Sequence, residues 1–234
     1  MPKCNSMSPA QQERLTVLEL NNLHVDIASA QVLRGLSLTV QQGQMVGLLG
    51  RNGAGKTTTM RSIMGHLALR QGNMSFNGQD LSVLPPEARA GLGIGYMPED
   101  RGLVPELTVE ENILIPLWVS KNLVVQERLE LVYQVLPVLK DMAQRRALLL
   151  SGGQQKLVAL ARAMAVGTRL LLLDEPFEGV APALSKSLSE AIFKLKGSEL
   201  SVLISQSDLN HSSGLLDTTV VIERGANAVT TAPP

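Results

Sequence analysis

The sequence contains one cysteine, few aromatic residues and no excess of either charge. Cys4 stands alone in 234 residues, which excludes a disulfide or a cysteine-rich metal site within the chain and predicts a reducing compartment. Aromatic residues make up 3% of the chain, so base stacking could rest on very few rings. The 21 basic residues balance the 21 acidic ones, and this balance gives no electrostatic reason to expect a nucleic acid partner.

Long apolar runs are absent as well. A membrane-spanning helix needs about 20 consecutive apolar residues, and the longest runs here, residues 113–119 and 170–173, are much shorter. Residues 1–12 are polar and lack the apolar segment of a secretory signal, and we predict a flexible tail over residues 1–14. With 44% hydrophobic residues in the chain, residues 15–234 are predicted to form one globular domain.

A glycine-rich phosphate-binding pattern is the most informative feature that is present. Residues 50–57 match G-x-x-x-x-G-K-[ST], with an apolar run at residues 45–49 before them and a helical pattern from 57 to 66 after them. A strand that leads into such a turn and a helix presents backbone N–H groups and a positive helix end to an anion. Lys56 adds a charge for the β- and γ-phosphates, and the Thr57 hydroxyl is placed for Mg²⁺. The residues predicted to bind nucleotide here are Gly50, Arg51, Asn52, Gly53, Ala54, Gly55, Lys56, Thr57 and Thr58.

Two adjacent carboxylates follow the second apolar run. Residues 170–173 are four leucines, which are typical of a parallel strand covered on both faces, and Asp174 and Glu175 come directly after them. Parallel sheets place ligands at the carboxyl ends of their strands. A phosphoryl hydrolase needs one carboxylate to hold Mg²⁺ and another to orient or deprotonate the attacking water. We therefore predict Asp174 as the metal ligand and Glu175 as the general base; a solvated acidic turn is the alternative.

Strands and helices alternate along the chain, which predicts an α/β fold. Short strands are predicted at residues 17–20, 32–33, 36–40 and 73–77 around the phosphate-binding loop, and again at 202–205 and 220–223. Residues 85–167 are mostly helical. Thr108 and Glu111 form a predicted capping box, and apolar positions three and four apart predict a helix from 124 to 139.

Three motifs together carry a resemblance to a known family. Residues 150–155, Leu-Ser-Gly-Gly-Gln-Gln, and residues 170–176, Leu-Leu-Leu-Leu-Asp-Glu-Pro, follow the phosphate-binding loop in that order. With them, the chain from residue 15 to 225 resembles the ATP-binding subunit of an ATP-binding cassette (ABC) transporter. The resemblance implies a P-loop NTPase core of the ABC-ATPase type, with an antiparallel β subdomain and an inserted helical subdomain at about residues 85–167. It also implies that the chain binds ATP and Mg²⁺ and hydrolyses ATP to drive transport.

The Leu-Ser-Gly-Gly-Gln sequence, called here the signature turn, is predicted to act between two chains. Ser151 is a good N-cap for a helix that ends at Gly167, and a helix N-terminus beside glycines can bind an anion. In the resembled family this motif closes over ATP held by a second subunit, so the predicted nucleotide contacts in trans are Ser151, Gly152, Gly153 and Gln154. The implied partners are a second ABC ATPase subunit, identical or not, transmembrane permease subunits and, indirectly, a solute-binding protein. The implied location is peripheral, at the cytoplasmic face of the inner membrane.

Sequence features that are less specific than the three motifs resemble one branch of the family. Glu99 stands where the family usually places a glutamine that contacts Mg²⁺, and its carboxylate can still offer an oxygen ligand; an ordinary loop carboxylate is the alternative. Glu99, residues 108–112 and residues 178–182, where Ala181 replaces a common aspartate, are similar to the ATPases of branched-chain amino-acid importers. The resemblance implies an importer of branched-chain amino acids or of related small solutes such as amides and urea. The run at residues 113–119 is predicted to pack in the core or, alternatively, to line a groove for a cytoplasmic helix of the permease.

Two positions depart from the family pattern. Ser207 falls where many cassettes have a histidine that contacts the γ-phosphate; a hydroxyl can hydrogen-bond a phosphate oxygen but carries no charge, so we assign Ser207 a catalytic role with slowed hydrolysis. His211 lies too far along the chain to replace that histidine. Ile27 falls near the position of the aromatic residue that stacks on adenine, and it lacks a π face, so nucleotide affinity is expected to be modest. The chain also ends soon after Gly225, where similar proteins continue, which predicts a shortened C-terminus.

Two other functions remain open from the sequence. A cassette ATPase that acts on ribosomes or DNA is one, although such proteins usually join two cassettes or insert a long coiled coil, and neither is found in these 234 residues. An ATP-binding regulatory module with degenerate catalysis is the other, because Ser207 and Ile27 both depart from the pattern.

Overall fold

A computed structural model describes residues 15–118, 120, 122–197, 199–208 and 214–228 of the chain. The predicted tail at residues 1–14, His211 and residues 229–234 lie outside the described residues. Within the described ranges, the chain forms two sheets and the helices that pack on them. No helix in these ranges is long and apolar enough to cross a bilayer.

Strands and helices alternate as the sequence predicts, which confirms the α/β fold. The strands of the described chain are β1 (Thr16–Ile27), β2 (Ala30–Gln41), β3 (Met45–Leu49), β4 (Gln71–Phe76), β5 (Gln79–Asp80), β6 (Ile94–Met97), β7 (Leu170–Asp174), β8 (Ser201–Gln206), β9 (Thr218–Glu223) and β10 (Ala226–Asn227). The helices are α1 (Lys56–Ile63), α2 (Ala88–Gly91), α3 (Val109–Trp118), α4 (Val125–Val135), α5 (Val138–Asp141), α6 (Gly152–Val166) and α7 (Pro182–Phe193), with a 3₁₀ turn at Ala147–Leu149.

The central sheet is mostly parallel and positions the candidate site. Its strand order is β10-β9-β3-β8-β7-β6, and each neighbouring pair is parallel except β9 with β10. Strands β7 and β8 are buried along their whole length, as the run of leucines predicts. Because β3 and β7 flank β8, the loops that follow β3 and β7 meet at the carboxyl end of β8.

The second sheet is antiparallel throughout, in the order β2-β1-β4-β5. Strands β1 and β2 are longer than predicted, because β1 continues past Asn22 through register shifts that absorb its positive φ of 53°. The backbone N–H of Gly225 donates to the Ala54 carbonyl, and the Gly225 carbonyl accepts from the N–H of Arg34. These two bonds hold the antiparallel sheet against the phosphate-binding loop.

The predicted helices are present, with two corrections. The single helix predicted from 124 to 139 is wrong: α4 ends at Val135 and α5 begins at Val138, because Pro137 has no N–H to continue the helical ladder. The helix predicted from 57 to 66 ends at Ile63, since Gly65 adopts a left-handed φ of 77°. The capping box of α3 is confirmed: the N–H of Thr108 donates to Glu111 Oε2 at 2.7 Å, and the N–H of Glu111 donates to Thr108 Oγ1 at 3.2 Å.

Helix α6 lies at the centre of the larger apolar cluster, which it shares with α3 and the central sheet. Ile113 and Leu117 of α3 are buried in this cluster, whereas Trp118 is 61% exposed. The carboxyl end of α6 is held by Arg128 of α4, whose guanidinium donates to the carbonyls of Met164 and Ala165. A cation at this end also complements the helix dipole, so α6 is fixed at both its face and its end.

Candidate active site

The loop between β3 and α1, called here the P-loop, has the strand–turn–helix context that the sequence predicts. Its glycines are required for two different reasons. A Cβ at Gly50 would lie 2.5 Å from the backbone oxygen of Ile222 on β9, so the strand approaches too closely for any side chain. Gly53 and Gly55 have φ values of 79° and 112°, a region that side-chain-bearing residues rarely adopt.

The P-loop borders a cavity of about 430 Å³. Six of the nine predicted P-loop contacts line it, together with three glutamates and one valine. The lining residues are Val32, Asn52, Gly53, Gly55, Lys56, Thr57, Thr58, Glu99, Glu175 and Glu178. Gly50, Arg51 and Ala54 belong to the loop without lining this cavity. Ile27 does not line it either: it ends β1 and is 42% exposed.

Lys56 is buried at the floor of the loop, with 5% of its surface exposed. Its ammonium donates to the carbonyls of Gly50 at 2.5 Å and Arg51 at 3.1 Å, and to Ser207 Oγ at 3.3 Å. It also forms an ion pair with Glu175, with 3.0 Å between Nζ and Oε1. Ser207 donates to the same Oε1 at 2.8 Å. The structure therefore joins the three residues that the sequence predicted as catalytic.

The two predicted carboxylates have different surroundings at the end of β7. Asp174 is fully buried, and its Oδ1 accepts a 2.5 Å hydrogen bond from Ser205 on β8. Its Oδ2 is buried without a hydrogen-bond partner within the described chain. Burial raises the pKa of Asp174, while hydrogen bonds from Ser205 and Thr57 act in the opposite direction. Glu175 has a φ of 46°, and its N–H donates to Ser205 Oγ at 3.0 Å.

The predicted metal ligands Thr57, Glu99 and Asp174 lie close to one another. Thr57 Oγ1 donates to Glu99 Oε2 at 3.3 Å, and Asp174 lies within hydrogen-bonding reach of the same hydroxyl. A hydroxyl and two carboxylates are the hard oxygen donors that Mg²⁺ prefers, so the residues fit this ion. Within the described ranges, no group of three or more His, Cys, Asp or Glu side chains is arranged to hold a metal by itself.

The signature turn is formed as predicted but lies outside this cavity. Ser151 caps α6: its Oγ accepts from the N–H of Gln154 at 3.3 Å, and its own N–H donates to Gln154 Oε1 at 3.0 Å. Ser151 and Gly152 are exposed. None of Ser151, Gly152, Gly153 and Gln154 is among the described residues that line the P-loop cavity. The turn is therefore spatially separate from the P-loop cavity.

Helix α6 also holds the loop that carries Glu99. Arg101 donates to Gln155 Oε1 at 2.8 Å, and Arg162 donates to the carbonyls of Gly102 at 2.6 Å and Arg101 at 2.7 Å. The signature turn and the Glu99 loop are consequently parts of one hydrogen-bonded unit.

Comparison with known proteins assigns the family. The family model for the ABC transporter matches residues 33–178. The chain belongs to the ABC transporter family. It is the ATP-binding and ATP-hydrolysing subunit of such a transporter, which confirms the resemblance drawn from its three motifs.

Relatives within the ABC family have different transport roles. The chain is 34% identical to the lipopolysaccharide export system ATP-binding protein LptB of Haemophilus influenzae, over 94% of this chain and 92% of that protein. It is 31% identical to the high-affinity branched-chain amino acid transport ATP-binding protein BraG of Pseudomonas aeruginosa, over 89% and 90%. A solved structure of a nucleotide-free ATP-binding cassette from an ABC transporter superposes with a TM-score of 0.80 at 28% identity, over 92% of this chain and 90% of that one.

Sequence reasoning missed Ser205, which bonds both Asp174 and the backbone of Glu175. It was predicted only as part of a strand. The register of β7 with β8 pairs Asp174 with Ser205, and this pairing follows from strand order rather than from any local motif. A serine at the end of a strand next to the carboxylate strand is the signal that could have identified it.

Asp174→Asn should stabilise the nucleotide-free protein. The raised folded-state pKa of Asp174 means that the folded state holds its proton more tightly than the unfolded state, so stability falls as pH rises above the ordinary pKa. Asparagine keeps the acceptor for Ser205 and removes the charge. We expect the melting temperature at pH 7 to rise by about 2–4 °C, the shift that ~1 kcal/mol gives in a chain of this size, with a smaller rise at pH 4.

The matched control is Asp141→Asn, because Asp141 is exposed and its neutralisation should leave the melting temperature nearly unchanged. In Asp174→Asn, added Mg²⁺ should no longer increase the stabilisation by ATP. A lower melting temperature at pH 7 for Asp174→Asn would contradict the burial argument.

Proposed function

We propose that the chain binds MgATP at the P-loop cavity and hydrolyses ATP with Glu175 as the general base. The observation that supports this is the contact of Lys56, Glu175 and Ser207 with one another, beside the unsatisfied oxygen of Asp174. Thr57, Glu99 and Asp174 are the residues that would hold Mg²⁺. When bound, this ion neutralises phosphate charge.

The resting contacts suggest how nucleotide starts the reaction. Phosphate oxygens of ATP replace the Glu175 carboxylate as the partner of Lys56, and the N-terminus of α1 supports their charge. Glu175 is then free to accept a proton from the attacking water. The water oxygen bonds to the γ-phosphorus while the bond from this phosphorus to the bridging oxygen breaks. Ser207 offers a neutral hydrogen bond to the γ-phosphate, so hydrolysis is slower than with a charged partner.

Glu175→Gln should lower the ATP turnover number by at least about 100-fold, because a general base contributes roughly 10²- to 10⁴-fold. ATP binding should persist, and the variant should accumulate as a closed, ATP-loaded dimer. Steady-state phosphate release and size-exclusion chromatography with MgATP measure the two effects.

Glu190→Gln is the control for this variant, since the Glu190 side chain is 62% exposed on α7 and takes no part in the site. Normal turnover in Glu175→Gln would remove Glu175 from the role of base.

We further propose that two chains face each other, so that each signature turn closes over the ATP of its partner. The P-loop cavity and the signature turn share no lining residue among those described, so one chain offers half of each composite site. Ser151 and Gly152 are exposed at the start of α6, and the positive end of a helix favours an anion there.

Mixing two inactive variants tests this arrangement. Lys56→Ala removes the phosphate-binding charge, and Ser151→Arg blocks the signature turn, so each variant alone should be inactive. A mixed dimer retains one intact composite site. Equal mixing should restore about one quarter of wild-type activity. Random pairing makes about half of the dimers mixed, and each mixed dimer has one working site of two. No recovery after mixing, with both variants folded, would argue against sites shared between two copies of this chain.

For the transported solute, we propose import of branched-chain amino acids or of related amides and urea, by a complex of permease subunits and, indirectly, a solute-binding protein. The chain would then lie at the cytoplasmic face of the inner membrane. Glu99, and Ala181 in the place of a common aspartate, support this branch, as does the similarity to BraG. Lipopolysaccharide export is the second candidate, because the LptB relative is the more similar of the two in sequence.

Deletion of the gene in its own host separates the two candidates. For the importer, uptake of radiolabelled leucine, valine, urea or a short amide should fall, and expression of the wild-type chain but not Glu175→Gln should restore it. The chain should also co-purify with permease subunits whose ATPase activity rises with the solute and its binding protein. Unchanged uptake of all four solutes, together with lipopolysaccharide retained in the inner membrane, would favour the export function instead.

A further inference from the structure

Lys156 is a buried lysine that the proposed reaction does not use. It lies on α6, five residues after Ser151, and is 4% exposed. Its ammonium donates to the carbonyl of Glu175 at 2.8 Å and to the carbonyl of Glu178 at 2.5 Å. Burial lowers the pKa of Lys156, although the carboxylates of Glu178 and Glu175 act in the opposite direction. Burying an ammonium group without hydrogen-bond partners costs free energy, and these two carbonyls supply the partners of the Lys156 ammonium.

The carbonyl that Lys156 contacts belongs to a residue with an unusual backbone. Glu175 has a φ of 46°, a region that residues other than glycine rarely adopt and that persists only when surrounding contacts enforce it. Its N–H is held by Ser205, and its carbonyl is held by Lys156 and, at 3.2 Å, by the N–H of Glu178. Ser205 and Lys156 therefore hold the two sides of this backbone unit from β8 and α6.

The direction of the Glu175 side chain follows from this backbone. A change in the φ or ψ of one residue swings its Cα–Cβ bond, and the carboxylate at the end of the side chain moves further than the backbone does. Catalysis by a positioned base depends on its distance from the attacking water. A contact that fixes the Glu175 carbonyl thus acts on the reaction without touching the substrate.

We propose that Lys156 is a positioning residue for hydrolysis: it holds the Glu175 backbone in its left-handed conformation, and so links the helix that starts at the signature turn to the base of the same chain. This inference rests on the proposed role of Glu175 as the general base. It adds a contact from α6 into the chain's own site, besides the contact in trans that the signature turn makes.

Lys156→Met tests the role by removing both hydrogen bonds while keeping most of the side-chain volume. We expect the turnover number to fall about 10- to 100-fold, the range associated with a base displaced by roughly 1 Å. The dissociation constant for MgATP should change by less than about threefold, because no P-loop contact is lost. Lys156→Arg should recover a large part of the turnover, since a guanidinium can donate to the same two carbonyls. Lys186→Met is the control, because the Lys186 side chain is 80% exposed.

The Glu175→Gln background separates positioning from a general structural effect. If Lys156 acts through the Glu175 carboxylate, adding Lys156→Met to Glu175→Gln should lower the single-turnover rate by less than about threefold. An equal loss in both backgrounds, or wild-type turnover in folded Lys156→Met, would overturn the proposal. Should Lys156→Met fail to fold, Lys156→Gln replaces it in both backgrounds, because glutamine fills part of the same space. The same threefold limit on the single-turnover rate then applies.

The failure of this inference differs from the failure of the proposed base. Wild-type turnover in Glu175→Gln would remove the base assignment and the inference together. Loss of turnover in Glu175→Gln, with normal turnover in the Lys156 variants, would leave the base in place and remove only the positioning role.

Discussion

The site depends on one ion pair, between the ammonium of Lys56 and the carboxylate of Glu175. The two residues come from separate elements, the start of α1 and the end of β7, and they meet because β8 alone separates β3 from β7 in the sheet. Strand β8 supplies Ser205, whose hydroxyl accepts from the Glu175 N–H. Ser207 directly follows β8, and its hydroxyl contacts both members of the ion pair. A different strand order would leave every one of these residues in place in the sequence and remove the site.

The pair also explains how a buried charge is tolerated before nucleotide binds. An ammonium group with little exposure needs partners, and Lys56 has a carboxylate, a hydroxyl and two carbonyls of its own loop. Phosphate oxygens are stronger anionic partners in a P-loop, because the backbone N–H groups and the helix end add to the lysine. In the reaction that we propose, this exchange of one partner for another would couple nucleotide binding to the release of Glu175.

Local motifs were predictable from the sequence, and long-range contacts were not. The P-loop, the capping box at Thr108, the N-cap at Ser151 and the buried strand before Asp174 all depend on residues within a few positions of one another, so local patterns predicted them. Ser205 and Lys156 act over 30 and 19 positions along the chain, and their partners follow from strand register and helix packing. The helix predicted across Pro137 is wrong for a local reason, because apolar periodicity outweighed the missing N–H of proline in that prediction.

The residues of this site do not determine which solute is transported, and the reason is chemical. The contacts described around Lys56, Asp174 and Glu175 join groups within the chain, and these charged and hydroxyl groups are suited to phosphate and Mg²⁺ rather than to a solute. Relatives named for lipopolysaccharide export and for amino-acid transport can therefore both be identical to this chain at about one third of their residues, although their names give them different transport roles. We expect the difference between them to lie on surfaces that meet the membrane subunits. On this chain, the loop from Glu99 to Gly102 is tied to α6 by Arg101 and Arg162, and α6 in turn contacts Glu175 through Lys156. A single helix thus connects that loop with both the signature turn and the backbone of Glu175, so a displacement of α6 would strain the hydrogen bonds to all three.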